Sequence, residues 1–177
     1  MTNDSSQQRR RPTRLKSYDY SRAGAYFVTV CTYNRECILG NIIDGKMRIG
    51  EYGRIVKAVW HELPSHYQHV CLDEFVIMPN HIHEIIILQD AVGEGLKPSP
   101  TIRRHALTEI ILGLKTFSAR DINSSRNTPK KHVWQRSYHD HVIRSETDLQ
   151  SIREYIANNP LQWDIDSENP EKIGHSR

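Results

Sequence analysis

The segment VIMPNHIHEIIIL places two histidines, His81 and His83, within an otherwise apolar run. Alternate residues of a β-strand point to the same face, so the two imidazoles project together while Ile82 packs on the opposite face. Two neutral imidazoles side by side form half of a divalent-metal site. Histidines in strands are more often hydrogen-bonded core or rim residues, so the pair indicates a metal only if other residues complete the site.

The first two ways to complete the site would use further histidines. A third alternating histidine would give the HxHxH pattern of nucleotide hydrolases, but that position is Ile85. His139 and His141 form a second pair, and they flank Asp140, a residue poorly suited to a core. The second pair is therefore predicted to lie at a solvated edge and to have a rim role.

The third candidate lies on the last predicted helix, where Tyr155 and Asn159 are four residues apart and share a face. The Asn159 amide oxygen suits a hard cation, and the Tyr155 phenol beside that cation is a nucleophile for phosphoryl transfer. The structural alternative is core packing for Tyr155 and an ordinary helix end at Asn-Asn-Pro. Pro160 also disfavours the helical conformation for Asn159.

The elements that must position these residues follow from hydrophobic periodicity and turn signals. Their order predicts an α+β fold with an antiparallel-rich sheet, and not a doubly wound parallel sheet. The predicted elements are a strand over 25–33, a hairpin over 37–49 turning at Asp44-Gly45, a helix from 50 that stops at Pro64, two central strands over 70–79 and 81–88, a loop over 90–101, a helix over 102–122, a strand over 133–143, and a helix over 145–160 that begins with a capping box at Ser145 and Asp148.

Length and composition limit the possible architectures. A chain of 177 residues with 37% hydrophobic residues can bury one core, so one domain over 17–165 is predicted, between a basic arm (1–16) and a tail (166–177). No apolar run approaches the roughly 20 residues of a membrane span, and the N-terminus lacks a signal-like apolar stretch, so a soluble, untargeted protein is expected. Three cysteines without a CxxC pair indicate neither a disulfide framework nor a thiolate zinc site.

The net charge of only +3 conceals two concentrated basic segments. Such clusters fit phosphate binding, although solvated tails are also often basic. The first segment contains Arg9, Arg10, Arg11, Arg14 and Lys16, and the second contains Arg120, Arg126, Lys130, Lys131 and Arg136.

Several motifs together resemble those of the REP-associated tyrosine transposases. These form a branch of the single-tyrosine HUH transposases, related to insertion-sequence transposases. MPNHIH is similar to the HUH (His, hydrophobic, His) motif, and REYIANNP is similar to the nucleophile helix. Further similar segments, in the same order, are RLKSYDYSRAGAYFVTVCTYNRECILGNI, GRIVKAVWHELP, DEFVIMPNHIH, VWQRSYHDHVIR and REYIANNPLQW. The resemblance extends from about Arg14 to Trp163.

The resemblance implies a ferredoxin-like (RRM-like) fold, with the HUH motif on a central strand and the tyrosine helix packed on the sheet. It implies His81, His83 and Asn159 as ligands of Mg²⁺ or Mn²⁺, and Tyr155 as the nucleophile that attacks a single-stranded DNA phosphate. The products would be a 5′-phosphotyrosine link and a free 3′-OH, so rejoining would need no high-energy cofactor. The expected partner is DNA carrying a REP-like hairpin, bound by a monomer or homodimer in the bacterial cytoplasm at the nucleoid, without a membrane.

DNA contacts are expected in the arm, in the second basic segment and in the strand that follows it. Trp134 has a structural alternative, because a strand tryptophan is often a core residue. The expected backbone contacts are Arg9, Arg10, Arg11, Arg14, Arg126, Lys130 and Lys131, and the residues expected to stack on or read a base are Trp134, Gln135 and Arg136.

Glu84 departs from the family pattern, which often has a small or apolar residue after the second histidine. Glu84 could be an additional neighbour of the metal or form a salt bridge with a helix. Strand alternation turns it away from the histidines, which favours the salt bridge. The rival function is a catalytically silent hairpin-binding regulator of the same fold. The presence of His81, His83, Tyr155 and Asn159 favours the enzyme, because a pure binder has no chemical use for all four.

Overall fold

The computed structural model describes residues 18–90 and 104–170, and everything below concerns those residues. None of the helices within these two ranges combines the length and the apolar character needed to cross a membrane. The strands are β1 (Gly24–Cys31), β2 (Gly40–Ile43), β3 (Lys46–Ile49), β4 (Val70–Ile77), β5 (His81–Leu88) and β6 (His139–Ile143). The helices are α1 (Glu51–His66), α2 (Leu107–Ser125) and α3 (Glu146–Asn158), and two 3-10 segments cover Tyr33–Arg35 and Asn159–Ile165.

The main sheet has four antiparallel strands in the order β4-β5-β1-β6, and β2 and β3 form a separate hairpin. The hairpin turns at Asp44 and Gly45, whose φ angles of 51° and 68° suit a tight Asp-Gly turn. The predicted α+β class with an antiparallel sheet is confirmed. The strand that carries the histidines is internal, but β4 lies at an edge, so the expectation of two central strands over 70–88 is wrong for the first of them.

The two faces of the sheet are covered by different elements. Val28, Ile82 and Ile86 are fully buried and belong to the main core, which also takes in residues of α1 and α2. The opposite face, which carries alternate residues of the same strands, packs against α3 and the 3-10 segment that follows it. The sheet thus lies between a two-helix layer and a one-helix layer.

Two helices differ from their predicted bounds. The helix predicted over 102–122 is Leu107–Ser125, because Glu109 Oε2 accepts the Ala106 N–H at 3.1 Å and fixes the first turn there. The helix predicted to stop at Pro64 continues to His66. Pro64 gives up one backbone hydrogen bond, and the Tyr67 N–H closes the last turn on the Leu63 carbonyl at 2.8 Å.

The strand predicted over 133–143 is limited to His139–Ile143. Val133 and Trp134 are both buried, but the chain over 133–138 forms no continuous ladder with a neighbouring strand. They are joined to the sheet only by the isolated bridge between Thr32 and Trp134. The capping box at the start of α3 is confirmed in its first half, because Ser145 Oγ accepts the Asp148 N–H at 3.1 Å.

Candidate metal centre and tyrosine site

His81 and His83 lie on one face of β5, as strand alternation predicts, and both are buried. Their Nε2 atoms are 3.1 Å apart. Burial lowers the pKa of each imidazole to about 3; the charge of Arg35 also lowers that of His81, and the neighbouring His81 that of His83. Both side chains are therefore neutral at physiological pH, which is the form that binds metals.

Asn80 fixes which nitrogen of His81 is available. Its Nδ2 donates to the carbonyls of Arg35 and Glu168, at 3.2 and 2.7 Å, so its Oδ1 must be the atom that faces His81 Nδ1 at 2.9 Å. His81 Nδ1 therefore carries the proton and its Nε2 presents a lone pair. Because His83 Nε2 lies against that lone pair, a proton or a cation must lie between the two nitrogens.

His83 is held by residues of β1. Thr29 Oγ1 lies 2.8 Å from His83 Nδ1, and the Phe27 ring stacks on the imidazole with centroids 5.3 Å apart. A hydrogen bond at Nδ1 that leaves Nε2 for the metal is the usual outer-shell arrangement of a metal-binding histidine. Both histidines thus have an oriented ring and an inward Nε2.

Tyr155 reaches this pair from α3. Its hydroxyl lies 3.3 Å from His83 Nε2, and its ring packs edge-on against Phe27. The side chain is 41% exposed, so Tyr155 is not the core residue that the structural alternative required. Burial of the hydroxyl end, together with the Asp166 carboxylate, raises the pKa of Tyr155. The phenol is therefore protonated at neutral pH.

An ion pair fixes α3 on the sheet two residues before the tyrosine. Arg153 donates to both carboxylate oxygens of Asp73 on β4, at 2.9 and 2.6 Å. The hydrogen bonds from Arg153 hold the pKa of Asp73 below its usual range. This bidentate contact sets the rotation of the helix and thereby the position of the Tyr155 hydroxyl.

Asn159 keeps helical angles (φ −57°, ψ −41°) despite the proline that follows it, so the one-turn spacing from Tyr155 is preserved. The residue is buried beside His81 and Tyr155, and an interaction with its side chain opposes the lowering of the His81 pKa. Its Oδ1 is inaccessible to solvent and has no hydrogen-bond partner of normal geometry among the described residues. An orphaned amide oxygen is what a hard cation would satisfy.

Asp166 joins the site from the segment that follows α3, and sequence reasoning missed it. Its Oδ2 lies 3.8 Å from His81 Nε2 and has no hydrogen-bond partner among the described residues. One ligand atom from each of His81, His83 and Asp166 lies within 4.8 Å of the others, so the three can hold a metal ion. Two imidazoles and two unpaired oxygens, one from Asn159 and one from Asp166, fit a divalent cation. The only sequence signal was an Asp three residues after Trp163, which does not place it near a histidine.

Among the described residues, those predicted to contact DNA differ in their exposure to solvent. Arg9, Arg10, Arg11 and Arg14 lie outside the described residues. Lys130, Lys131 and Arg136 are exposed, whereas Arg126 folds back to donate to Asn123 Oδ1 at 2.9 and 2.6 Å and closes the end of α2.

Trp134 and Gln135 contribute to the fold. The Trp134 indole is buried and donates to Ser118 Oγ at 3.0 Å, which is the core role that the sequence left open. The Gln135 N–H donates to the Cys31 carbonyl at 2.9 Å, and its own carbonyl accepts from Lys115. The Gln135 side chain is half-buried.

The second histidine pair lies on the edge strand β6, as predicted. His139 and His141 are exposed, and His141 Nε2 contacts Asp148 Oδ2 at 2.9 Å. The prediction assumed that Asp140 could not face the core, and this was wrong. Asp140 lies beside Val28 on the side of the sheet that α1 and α2 cover, and it is half-buried. Strand alternation directs Asp140 to this side, and the edge position of β6 limits the free-energy cost of burying its carboxylate.

Glu84 faces away from the histidines, as alternation predicts, but it makes no salt bridge among the described residues. The carboxyl is fully buried against Trp60 and Phe75, and burial raises its pKa to about 8. The predicted ion pair is wrong because that side of the sheet packs on an apolar part of α1. Glu84 is therefore protonated at neutral pH.

Comparison with known proteins gives both a relative and a fold. The chain is 38% identical over 164 residues to an uncharacterized protein of Haemophilus influenzae, with 89% of this chain and 91% of that protein covered. It superimposes with a TM-score of 0.57 and 17% identity on a REP-associated tyrosine transposase solved bound to a REP hairpin, covering 84% of this chain and 73% of the other. The chain belongs to the family of the Haemophilus protein and has the fold of the REP-associated tyrosine transposases.

The motif resemblance is thereby confirmed at the level of the fold. A second Haemophilus influenzae protein, provisionally named a REP-associated tyrosine transposase, is 23% identical over 145 residues and covers 81% of this chain and 74% of its own length. No protein-family model matches the chain.

Proposed function

We propose that the chain is a metal-dependent transposase or nuclease that nicks and rejoins single-stranded DNA near repetitive hairpins, with Tyr155 as the nucleophile. The observation that carries the proposal is the Tyr155 hydroxyl, 3.3 Å from His83 Nε2 at the edge of a buried, neutral histidine pair. A nucleophilic oxygen beside a divalent-metal site is the minimum arrangement for phosphoryl transfer. The fold shared with the REP-associated tyrosine transposases supports the same reading.

The chemistry assigned to the residues is a reversible exchange of phosphate esters. The Tyr155 oxygen attacks the phosphorus, a bond from phosphorus to the tyrosine oxygen forms, and the bond to the 3′ oxygen of the preceding nucleotide breaks. The phenol loses its proton and the departing 3′ oxygen gains one, which leaves a 5′-phosphotyrosine and a free 3′-OH. Attack by a 3′-OH on the phosphotyrosine rejoins a strand and releases Tyr155, so no high-energy cofactor is consumed.

The raised pKa of Tyr155 explains why this reaction needs electrophilic help. Very little phenolate is present at neutral pH, so the phosphate must be made more reactive. His81, His83 and Asn159 would hold Mg²⁺ or Mn²⁺, which when bound polarises the phosphate and neutralises its charge. Asn80 and Thr29 keep the two Nε2 atoms directed inward, and the Arg153–Asp73 ion pair keeps the phenol beside them.

Hairpin DNA is the substrate that we propose, because the structural neighbour was solved bound to a REP hairpin. Exposed Lys130, Lys131 and Arg136, together with the basic arm, supply positive charge for the DNA backbone. A protein that acts on chromosomal DNA is expected in the bacterial cytoplasm, at the nucleoid.

The decisive experiment looks for a covalent DNA–protein adduct. The purified chain is incubated with 5′-labelled and 3′-labelled single-stranded DNA that carries a hairpin, with Mn²⁺ or Mg²⁺, and is denatured before electrophoresis. We expect a metal-dependent adduct with the 3′-labelled fragment, joined to the protein through its 5′ phosphate, and Tyr155→Phe should abolish it. Tyr52→Phe on α1, on the far side of the sheet, is the matched control and should cleave normally.

The outcomes separate enzyme from binder. An adduct that persists in Tyr155→Phe would remove the nucleophile assignment. Hairpin binding in a gel-shift experiment, with no metal-dependent cleavage of any hairpin tested, would support the catalytically silent regulator instead.

A further inference from the structure

We propose that Asp166 is a metal ligand of this site and supplies its one negative charge. The inference rests on the proposed function for the presence of a divalent cation, and it adds a residue that lies outside the HUH motif and the tyrosine helix. Asp166 ends the 3-10 segment Asn159–Ile165 as its C-cap residue. Its side chain is only 6% exposed.

The two carboxylate oxygens of Asp166 have different surroundings. Oδ1 accepts the Glu168 N–H at 2.7 Å, and the Asp166 carbonyl accepts the Asn169 N–H at 3.2 Å, so a tight turn holds the residue. Oδ2 is buried and makes no hydrogen bond among the described residues. A carboxylate fixed through one oxygen, with the other bare and directed at an imidazole, is preorganised for coordination.

The position of Oδ2 distinguishes a ligand from an orienting residue. A carboxylate that only orients a metal-binding histidine contacts the nitrogen that does not bind the metal. In His81 that nitrogen is Nδ1, and Asn80 already occupies it. Asp166 Oδ2 instead faces Nε2 at 3.8 Å, which is too long for a hydrogen bond and leaves room for an ion between the atoms.

Charge balance points the same way. His81, His83 and Asn159 are all neutral ligands, so a buried dication held by these three alone would have no negative charge to compensate it. The neighbouring carboxylate of Glu168 is engaged with Arg35 at 3.1 Å and with the Cys31 thiol at 3.2 Å. Asp166 is the carboxylate that groups with both histidines among the described residues.

The test measures metal binding without DNA, so it does not depend on cleavage. Mn²⁺ is titrated into the unmodified chain, and the free ion is followed by electron paramagnetic resonance. We expect Asp166→Asn to raise the Mn²⁺ dissociation constant by at least about tenfold. Asp164→Asn, an exposed carboxylate in the same segment, is the matched control and should leave it unchanged.

A second variant covers the case in which Asp166→Asn folds poorly. Asp166→Cys replaces an oxygen ligand by a thiolate, which favours softer metals. We expect Mn²⁺ binding to weaken while Cd²⁺ binding strengthens and produces the ultraviolet absorption of a Cd²⁺–thiolate bond. A residue with a purely structural role would not change the metal preference.

The outcomes separate this inference from the proposed function. If the double variant His81→Ala and His83→Ala loses Mn²⁺ while Asp166→Asn binds within twofold of the unmodified chain, the Asp166 assignment is overturned and metal-dependent cleavage still stands. If the unmodified chain binds no Mn²⁺, both are overturned. Loss of binding in Asp166→Asn with no DNA adduct in the unmodified chain would retain the ligand and refute the transposase.

Discussion

The two faces of β5 bury polar side chains equally deeply, but they differ in the hydrogen-bonding partners that they provide. On one face His81 and His83 have Asn80, Thr29 and Tyr155 within hydrogen-bonding distance. On the other face Glu84 is fully buried without a hydrogen bond of normal geometry among the described residues.

The difference shows what burial alone does not. Both faces penalise charge, and burial shifts the pKa of each group toward its neutral form, down to about 3 for the histidines and up to about 8 for Glu84. Only the histidine face also orients its groups, so that lone pairs converge on one point. A functional site is therefore distinguished by directed partners rather than by perturbed pKa values.

The largest expected effect is on the histidine face. His83→Ala removes one of the proposed metal ligands, and we expect metal-dependent cleavage to fall about a hundred- to a thousandfold. The free energy of unfolding should change by no more than about 1 kcal/mol, because losing a buried polar group partly offsets the lost packing. Single-turnover cleavage and urea unfolding measure the two quantities. A His83→Ala protein that cleaves normally would contradict the site assignment.

Substitutions on the face of β5 that packs against α1 and α2 should lower stability and leave cleavage nearly unchanged. Ile86 is fully buried there, so Ile86→Ala should lower the free energy of unfolding by about 2–5 kcal/mol. Ile86→Val, the milder control, should cost about 0.5–1.5 kcal/mol. Cleavage per folded molecule should stay within about threefold of the unmodified chain, because packing and not chemistry is lost. A thousandfold loss of cleavage at full folding would mean that the two faces are not independent.

Glu84 provides a pH test of the same comparison. Its pKa is about 8 in the folded chain and near 4.5 when unfolded, so between these values the unfolded chain is ionised while the folded chain stays protonated. Stability therefore decreases as pH rises from about 4.5 to 8 and levels off above that. Glu84→Gln removes this penalty, and its gain should grow from near zero at pH 4.5 to about 2–4 kcal/mol at pH 8.

Urea unfolding of the metal-free protein at several pH values measures that gain. Glu74→Gln, an exposed carboxylate on β4, serves as the control and should show no such trend. A pH-independent difference between Glu84→Gln and the unmodified chain would show that Glu84 is charged in the folded state.

Sequence periodicity predicted on which face of β5 each of these side chains lies. Alternation correctly directed His81 and His83 to one face and Glu84 to the other, because a strand has a period of two whatever surrounds it. One helical turn correctly placed Tyr155 and Asn159 together. These relations are local, and local geometry can be read from spacing.

Relations between distant segments were not predictable in the same way. Asp166 reaches His81 only because the chain turns after α3, and no spacing rule connects positions 85 residues apart. The expected partner of Glu84 failed for the same reason, since the composition of the opposing helix surface depends on how α1 packs. The edge position of β4 likewise depends on strand order, which pairing across the whole chain decides.

The smallest expected effect concerns the Arg153–Asp73 ion pair, which holds α3 and Tyr155 against the histidine face. Asp73→Asn weakens the bidentate contact with Arg153 and should cost about 1–2 kcal/mol at pH 7, with cleavage reduced about three- to tenfold as Tyr155 loses its fixed position. Because the pKa of Asp73 is lowered in the folded chain, its stabilisation is present above the unfolded pKa of about 4 and is lost as pH falls through the folded value. The stability difference between variant and unmodified chain should therefore disappear on acidification.

Asp121→Asn, which breaks the more exposed pair with Arg120, is the control and should cost less than about 0.5 kcal/mol. Equal effects of the two variants on cleavage would mean that the Arg153–Asp73 contact does not position Tyr155.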